Sequence, residues 1–187
     1  FADRLPAGAD IEAQMDYTTI GEPVSDRSSW GVVLTREPDS TLRRARGGQV
    51  ANLTFAIEPG NADFVVTASR TIEEDTYLAN MMPHMHVRGK SAKYTVKYED
   101  GTEGGALSVP NYDFNWQLTY VLEEPIFMPK GTVLEAEFHY DNSGANRHNP
   151  DPTAEVHWGD QTWEEMMLGY YGTVEGPEGN TTTSQQQ

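Results

Sequence analysis

Apolar and polar residues alternate one for one in several short runs of this chain, with glycine and proline between the runs. In an extended backbone successive side chains point to opposite faces, so strict alternation makes one apolar face and one wet face. Tyr112, Phe114, Trp116, Leu118 and Tyr120 alternate in this way, as do Leu134, Ala136, Phe138 and Tyr140. Ile11, Ala13, Met15 and Tyr17 form a third run. Tyr94, Val96 and Tyr98 form a fourth, ending at Glu99-Asp100-Gly101, a hairpin signal. The apolar stretches 30–34, 53–57, 64–68 and 168–174 read as further strands. Few stretches repeat apolar residues at helical spacing, and the 17 glycines and 11 prolines are spread throughout, which disfavours long helices. Together these features predict an all-β fold, an antiparallel jelly-roll β-sandwich.

At 187 residues the chain is long enough for one good-sized domain. Its 29 acidic against 13 basic residues give a formal charge of −16, a field that repels nucleic acid and anionic membrane surfaces. Neither is expected as a partner. The lack of cysteine excludes disulfides, thiolate metal sites, cysteine nucleophiles and a blue-copper centre of the His/Cys type. No apolar run approaches membrane-spanning length. Glycine-rich phosphate loops, the Gly-x-Ser-x-Gly elbow and His-Glu-x-x-His are absent from the sequence. The chain starts at Phe1 without a signal-like segment and reads as a processed or partial product.

The chemistry concentrates in Pro83-His84-Met85-His86. His-x-His on a strand puts both imidazoles on one face, with Met85 on the other. Such a pair is often just two polar residues at a sheet rim. Here Pro83 marks an edge or a strand start, which leaves the rings reachable. Far downstream, Met166 and Met167 are neighbours and face opposite ways if extended, so one serves the core and the other is free for a site. Spacing alone does not say which. Two imidazoles with one thioether suit copper cycling through Cu(I) better than calcium, magnesium or manganese. His139, His148 and His157 read as surface or hydrogen-bonded histidines, and Asp141, Asp151 and Asp160 lack EF-hand spacing.

Three separated blocks carry a resemblance. They are Pro83-His84-Met85-His86-Val87-Arg88-Gly89, Tyr112-Asp113-Phe114-Asn115-Trp116-Gln117, and Asp160-Gln161-Thr162-Trp163-Glu164-Glu165-Met166-Met167. In this order they resemble the C-terminal domain of the copper type II, ascorbate-dependent monooxygenases, with peptidylglycine α-hydroxylating and dopamine β-monooxygenase as familiar members and bacterial relatives as the nearest in flavour. The resemblance covers about residues 52–174. It implies a jelly-roll domain holding the oxygen-activating copper through His84, His86 and Met166, with Met167 in the core. It implies hydroxylation of a C–H bond of a small-molecule substrate, with a second copper delivering an electron. Tyr170 matches a substrate-assisting tyrosine. Met82 and Leu168 stand where the peptide-amidating members carry an arginine and an asparagine, so the site lacks the cation that grips a peptide carboxylate. The segment Ala13-Gln14-Met15-Asp16-Tyr17 resembles the last strand of the family's N-terminal domain, with Asp16 at the histidine position and no counterpart to its His-His pair.

The expected organisation is an N-terminal strand segment over 1–34, a remnant of that preceding domain, then a linker over 35–50 containing Arg43-Arg44-Ala45-Arg46-Gly47-Gly48, the sandwich over 51–174 and a disordered tail over 175–187. Residues 141–153 form a long polar loop. Three function classes remain open. The first is a copper monooxygenase, or the C-terminal part of one. The second is a non-catalytic copper-binding module for storage or sensing. The third is a structural protein that assembles into a homo-oligomer, polymer or filament by exchanging its orphaned N-terminal strand. The resemblance implies a secreted, periplasmic or cell-surface location.

Overall fold

Ten strands form in chain order: β1 (Ala45–Ala51), β2 (Ala56–Ile57), β3 (Phe64–Thr71), β4 (Thr76–His84), β5 (Gly89–Lys97), β6 (Glu103–Val109), β7 (Tyr120–Met128), β8 (Val133–Tyr140), β9 (Val156–His157) and β10 (Leu168–Val174). The structure is a computed structural model that describes residues 2, 5–13, 15, 17, 21–36 and 43–176. Helix is absent among the described residues. The long strands make two antiparallel four-stranded sheets, ordered β1-β10-β4-β7 and β3-β8-β5-β6. The first and last long strands are neighbours, and the chain crosses repeatedly from one sheet to the other. This is the strand order of a jelly roll, two Greek keys folded face to face. β2 and β9 pair as a small separate ladder.

The core lies between the sheets. Along β8 burial alternates strictly, with Leu134, Ala136, Phe138 and Tyr140 all fully buried. Tyr94 and Val96 of β5 lie beside them, and Leu78 and Met81 of β4 face them with Met85 and Met167. Each of the larger aliphatic, methionine and phenylalanine side chains contributes about 2 kcal/mol by leaving water. The hairpin signal at Glu99-Asp100-Gly101 is a β5–β6 turn in which Gly101 takes φ +84°, a left-handed conformation that suits a residue without Cβ.

The run 112–120 is not a strand. Tyr112 and Tyr120 pack against the core, but Trp116 and Leu118 are exposed. Asp113 accounts for the difference. Its carboxylate accepts from the Asn115 amide at 2.8 Å and its carbonyl from the Trp116 amide at 2.9 Å, which folds the backbone back on itself. Strand pairing starts only at Tyr120, opposite Met81 of β4. Likewise, the described residues of 11–17 and of 30–34 form no strand, and Ile11, Tyr17, Trp30 and Val33 are exposed. The expected strand segment over 1–34 is therefore not seen among the described residues. Ala2 makes one bridge to Arg44. Gln14 and Asp16 lie outside the described residues, as does the tail after Gly176.

Two strands are hidden in the sequence. β1 occupies the last six residues of the expected linker over 35–50. Its glycines disguise it, yet Gly48 is where a Cβ would come within 2.5 Å of the Tyr171 ring on β10. β4 carries a bulge between Leu78 and Asn80 that breaks the alternation.

Candidate metal centre

β4 ends at His84, and the chain turns through 85–88 into β5, closed by the Gly89 amide donating to the His86 carbonyl at 3.1 Å. Pro83 falls past Met81, the last β4 residue paired with β7. On the other side, His84 pairs with Leu168, the first residue of β10. His86 lies two steps past His84, and Met166 two steps before Leu168 on the antiparallel partner segment. One buried carboxylate joins the two segments. Glu165 Oε2 accepts from the His86 amide at 2.8 Å and the Met166 amide at 3.2 Å, and Oε1 accepts from the Arg88 amide at 2.7 Å. Burial pushes this carboxyl up to about 7, against the opposite pull of the three N–H donors and the Arg88 charge. The Tyr140 hydroxyl donates to the Met166 carbonyl at 2.8 Å. Met167 is fully buried in the core, and Met166 is half-buried.

A second layer holds the loops. Arg88 is buried, and donates through Nε to Asn142 Oδ1 and through Nη1 to the Trp163 carbonyl, each at 2.8 Å. Asn142 donates in turn to the carbonyls of Glu58 and Ala154. The polar loop 141–153 is thus tied to the site's scaffold rather than free.

The two imidazoles stand 5.4 Å apart between ring centroids, at 85° to each other. His84 Nδ1 lies 2.6 Å from Gln117 Oε1, and Gln117 Nε2 donates to the Phe114 carbonyl at 2.9 Å. A carbonyl can only accept, so the amide end facing Phe114 is the NH2 and the end facing His84 is the oxygen. His84 Nδ1 therefore carries the proton. His86 Nδ1 lies 3.2 Å from the Glu164 carbonyl, and the same reasoning puts its proton on Nδ1. In that tautomer a neutral imidazole has its lone pair on Nε2. His86 is only 5% exposed, and burial lowers its pKa, which keeps the ring neutral. Phe114 sits edge-on to His86 at 6.0 Å, and the half-exposed Tyr170 ring lies 6.5 Å from His84.

Among the described residues no three His, Cys, Asp or Glu side chains gather as a metal site. The side chains available at this end of the β10–β4 pair suit copper by chemistry: two imidazoles whose Nδ1 atoms are held by acceptors, and the thioether of Met166, whose backbone amide shares the Glu165 carboxylate with that of His86. Sequence reasoning did not single out Gln117 and Glu165 individually, although both lie inside the blocks quoted above. The other histidines have local partners: His139 with Asp63 and Glu137, His148 with Arg147, and His157 with Glu155.

No family model and no curated protein matches this chain. Among solved structures it is similar to the VP2 subviral particle of infectious bursal disease virus, at 12% identity and TM-score 0.38, covering 71% of this chain and 33% of that one. It is similar also to a structure of the Gt strain of the same virus, at 14% identity and TM-score 0.38, covering 95% of this chain and 41% of that one. The chain thus spans well under half the length of either, and likenesses at this level carry no inference about function.

Proposed function

We propose that this chain binds copper through Nε2 of His84, Nε2 of His86 and the thioether of Met166, as the oxygen-activating part of an ascorbate-dependent monooxygenase acting on a small molecule. The observation that carries the reading is the pair of occupied Nδ1 atoms: each imidazole has an acceptor at Nδ1, which turns Nε2 toward a metal, and the His86 ring has the Gln161 carbonyl as a further backbone partner. Metal-bound histidines almost always donate their other N–H in this way. Bound copper would supply one-electron exchange and reaction with dioxygen. The chain's own residues do the rest. Gln117 and the Glu164 carbonyl fix the rings, Glu165 fixes the backbone that carries His86 and Met166, and Tyr170 borders the site where substrate approaches. The reading includes a secreted, periplasmic or cell-surface location.

Titration with Cu(I) and Cu(II) tests this. One equivalent binds the full chain, and His84→Ala, His86→Ala and Met166→Ala each weaken it, with folding checked by circular dichroism. Uptake unchanged in all three variants removes the site. Ascorbate-dependent oxygen consumption then separates an enzyme from a storage or sensing module.

A second reading has its own observation. Trp30, Val33 and Leu34 are 66%, 99% and 79% exposed and unpaired in any strand, while β1, β3, β6 and β7 are sheet edges. A segment of this kind adding to an edge of another copy would build a homo-oligomer or polymer. Sedimentation across a hundredfold concentration range tests it, and a monomer throughout removes it.

A further inference from the structure

Beside His84 the outer face of the first sheet carries a groove of about 450 Å³. Its position follows from strand register. Met81 and Gly169 point inward: Met81 is fully buried, and a Cβ on Gly169 would meet Tyr94 and Ala136 of the other sheet. Met82 and Tyr170 therefore point outward. They face each other across the ladder, with Gln49 beyond Tyr170 on β1 and the Thr119 hydroxyl 3.7 Å from Met82 Sδ. One rung further on, Asn80 stands opposite Gly172, which in turn pairs with Gly47. His84 is the next outward residue of β4 after Met82. The groove thus runs along β4 from Met82, the outward neighbour of His84, to Asn80.

Its lining is unusual for this chain. Against a formal charge of −16, no charged side chain lines the groove among the described residues. The side-chain amides of Gln49 and Asn80 and the hydroxyl of Tyr170 are uncharged, and none of the three has a hydrogen-bond partner among the described residues. The rest is Met82, the Tyr170 ring, bare glycine backbone and Tyr171, whose own ring is buried on the inner face. A carboxylate or ammonium group entering here would lose water without gaining a counter-charge, which is costly. A neutral amide would lose nothing comparable, since two side-chain amides offer both donors and acceptors to match it.

We infer that this groove is the substrate site of the proposed copper centre and that it selects an uncharged molecule with an apolar, aryl-sized body and one amide-like hydrogen-bonding group. The inference rests on the copper reading for the word substrate, but the groove and its neutrality stand on the protein alone. Gly47 is the steric gate. It sits in ordinary strand conformation, and a Cβ there would meet nothing within 4 Å, so the fold does not require glycine at this position. What its missing side chain provides is room.

The test uses the full chain, metal-free and copper-loaded, with three probes of one shape: 3-phenylpropanamide, 3-phenylpropanoate and 3-phenylpropylamine. Binding is read by calorimetry and by amide chemical shifts of β1, β4 and β10. The neutral amide is expected to bind at least tenfold more tightly than either ion. Gly47→Leu fills the groove and is expected to lose at least tenfold in amide affinity, with copper stoichiometry retained. Asn80→Asp keeps the side-chain shape and is expected to turn the preference toward the amine. An amide that fails to bind at millimolar concentration, an ion that binds as well, or a Gly47→Leu variant that binds the amide like wild type overturns the inference. Copper uptake without amide binding removes the groove and leaves the copper reading; amide binding without copper uptake removes the copper reading and leaves the groove.

Discussion

Gln117→Leu is the sharpest probe of the ring-orientation mechanism. The substitution keeps the side-chain bulk and removes the oxygen 2.6 Å from His84 Nδ1. Gln117 touches no metal ligand atom in the proposed set, so any change in copper affinity passes through the orientation of His84. The lost contact is one neutral hydrogen bond, worth a net of about 1–1.5 kcal/mol. At 1.4 kcal/mol per decade that is roughly a tenfold weaker site, at the lower end of what outer-shell substitutions do to bound metals. Competition for Cu(I) against a chromophoric chelator measures it. Gln117→Glu supplies the opposite perturbation. It restores an acceptor, now charged, toward Nδ1, but sets an oxygen against the Phe114 carbonyl where Nε2 donated. Affinity is expected to recover to wild type or beyond while the melting temperature falls. The order Glu at or above Gln, and Gln above Leu, separates orientation from mere packing, under which both variants fall below wild type. Wild-type affinity in Gln117→Leu, together with loss in His84→Ala, refutes the tautomer mechanism.

The adjacent methionines part company: Met166→Leu is expected to weaken Cu(I) binding at least tenfold with little change in stability, whereas Met167→Ala, a truncation in the core, costs about 2–5 kcal/mol in a denaturant titration. Glu165→Ala strands the buried amides of His86 and Arg88 and the partly buried amide of Met166, and at about 1 kcal/mol or more for each buried one the loss is about 2 kcal/mol or greater by urea unfolding; a loss under 1 kcal/mol would mean the carboxylate is not the clasp. Hydrogen bonds from Lys90 and then His139 hold the Asp63 carboxyl below its ordinary 3.8. A depressed acid adds stability that is present above the unfolded value and lost as pH falls through the folded one, so the melting temperature of Asp63→Asn is expected to fall less steeply than wild type below about pH 4.

The sandwich was legible where a strand's pattern and its surroundings agree. In β8 every second residue is apolar and every second residue is buried, because the strand has a partner on each side and a sheet facing it. The run 112–120 has the same pattern and a different fate. Nothing in its alternation reveals that Asp113 captures two backbone amides first, nor that pairing with β4 begins only at Tyr120, opposite Met81. β1 was invisible for the converse reason: its glycines carry no pattern, and their purpose lies in the Tyr171 ring on a strand about 120 residues later in the chain. Alternation reports what a segment offers to a sheet, and pairing depends on what lies next to it.

The same distinction governs the site. His84 and His86 could be paired from spacing because both lie on one short segment. Gln117 and Glu165 could not, because their roles exist only once three loops converge. Their contacts have a physical consequence. The His-x-His segment and the methionine loop are joined by the Glu165 carboxylate to three backbone amides, and the ring orientations are set by Gln117 and a backbone carbonyl. Protein groups alone thus bring the proposed ligands to one end of the β10–β4 pair. A small zinc domain, by contrast, spends metal-binding free energy on folding the chain. Here little ordering is left for the metal to do, so binding is expected to keep most of its intrinsic strength, and the cost of the arrangement falls on the fold through a carboxylate held out of water.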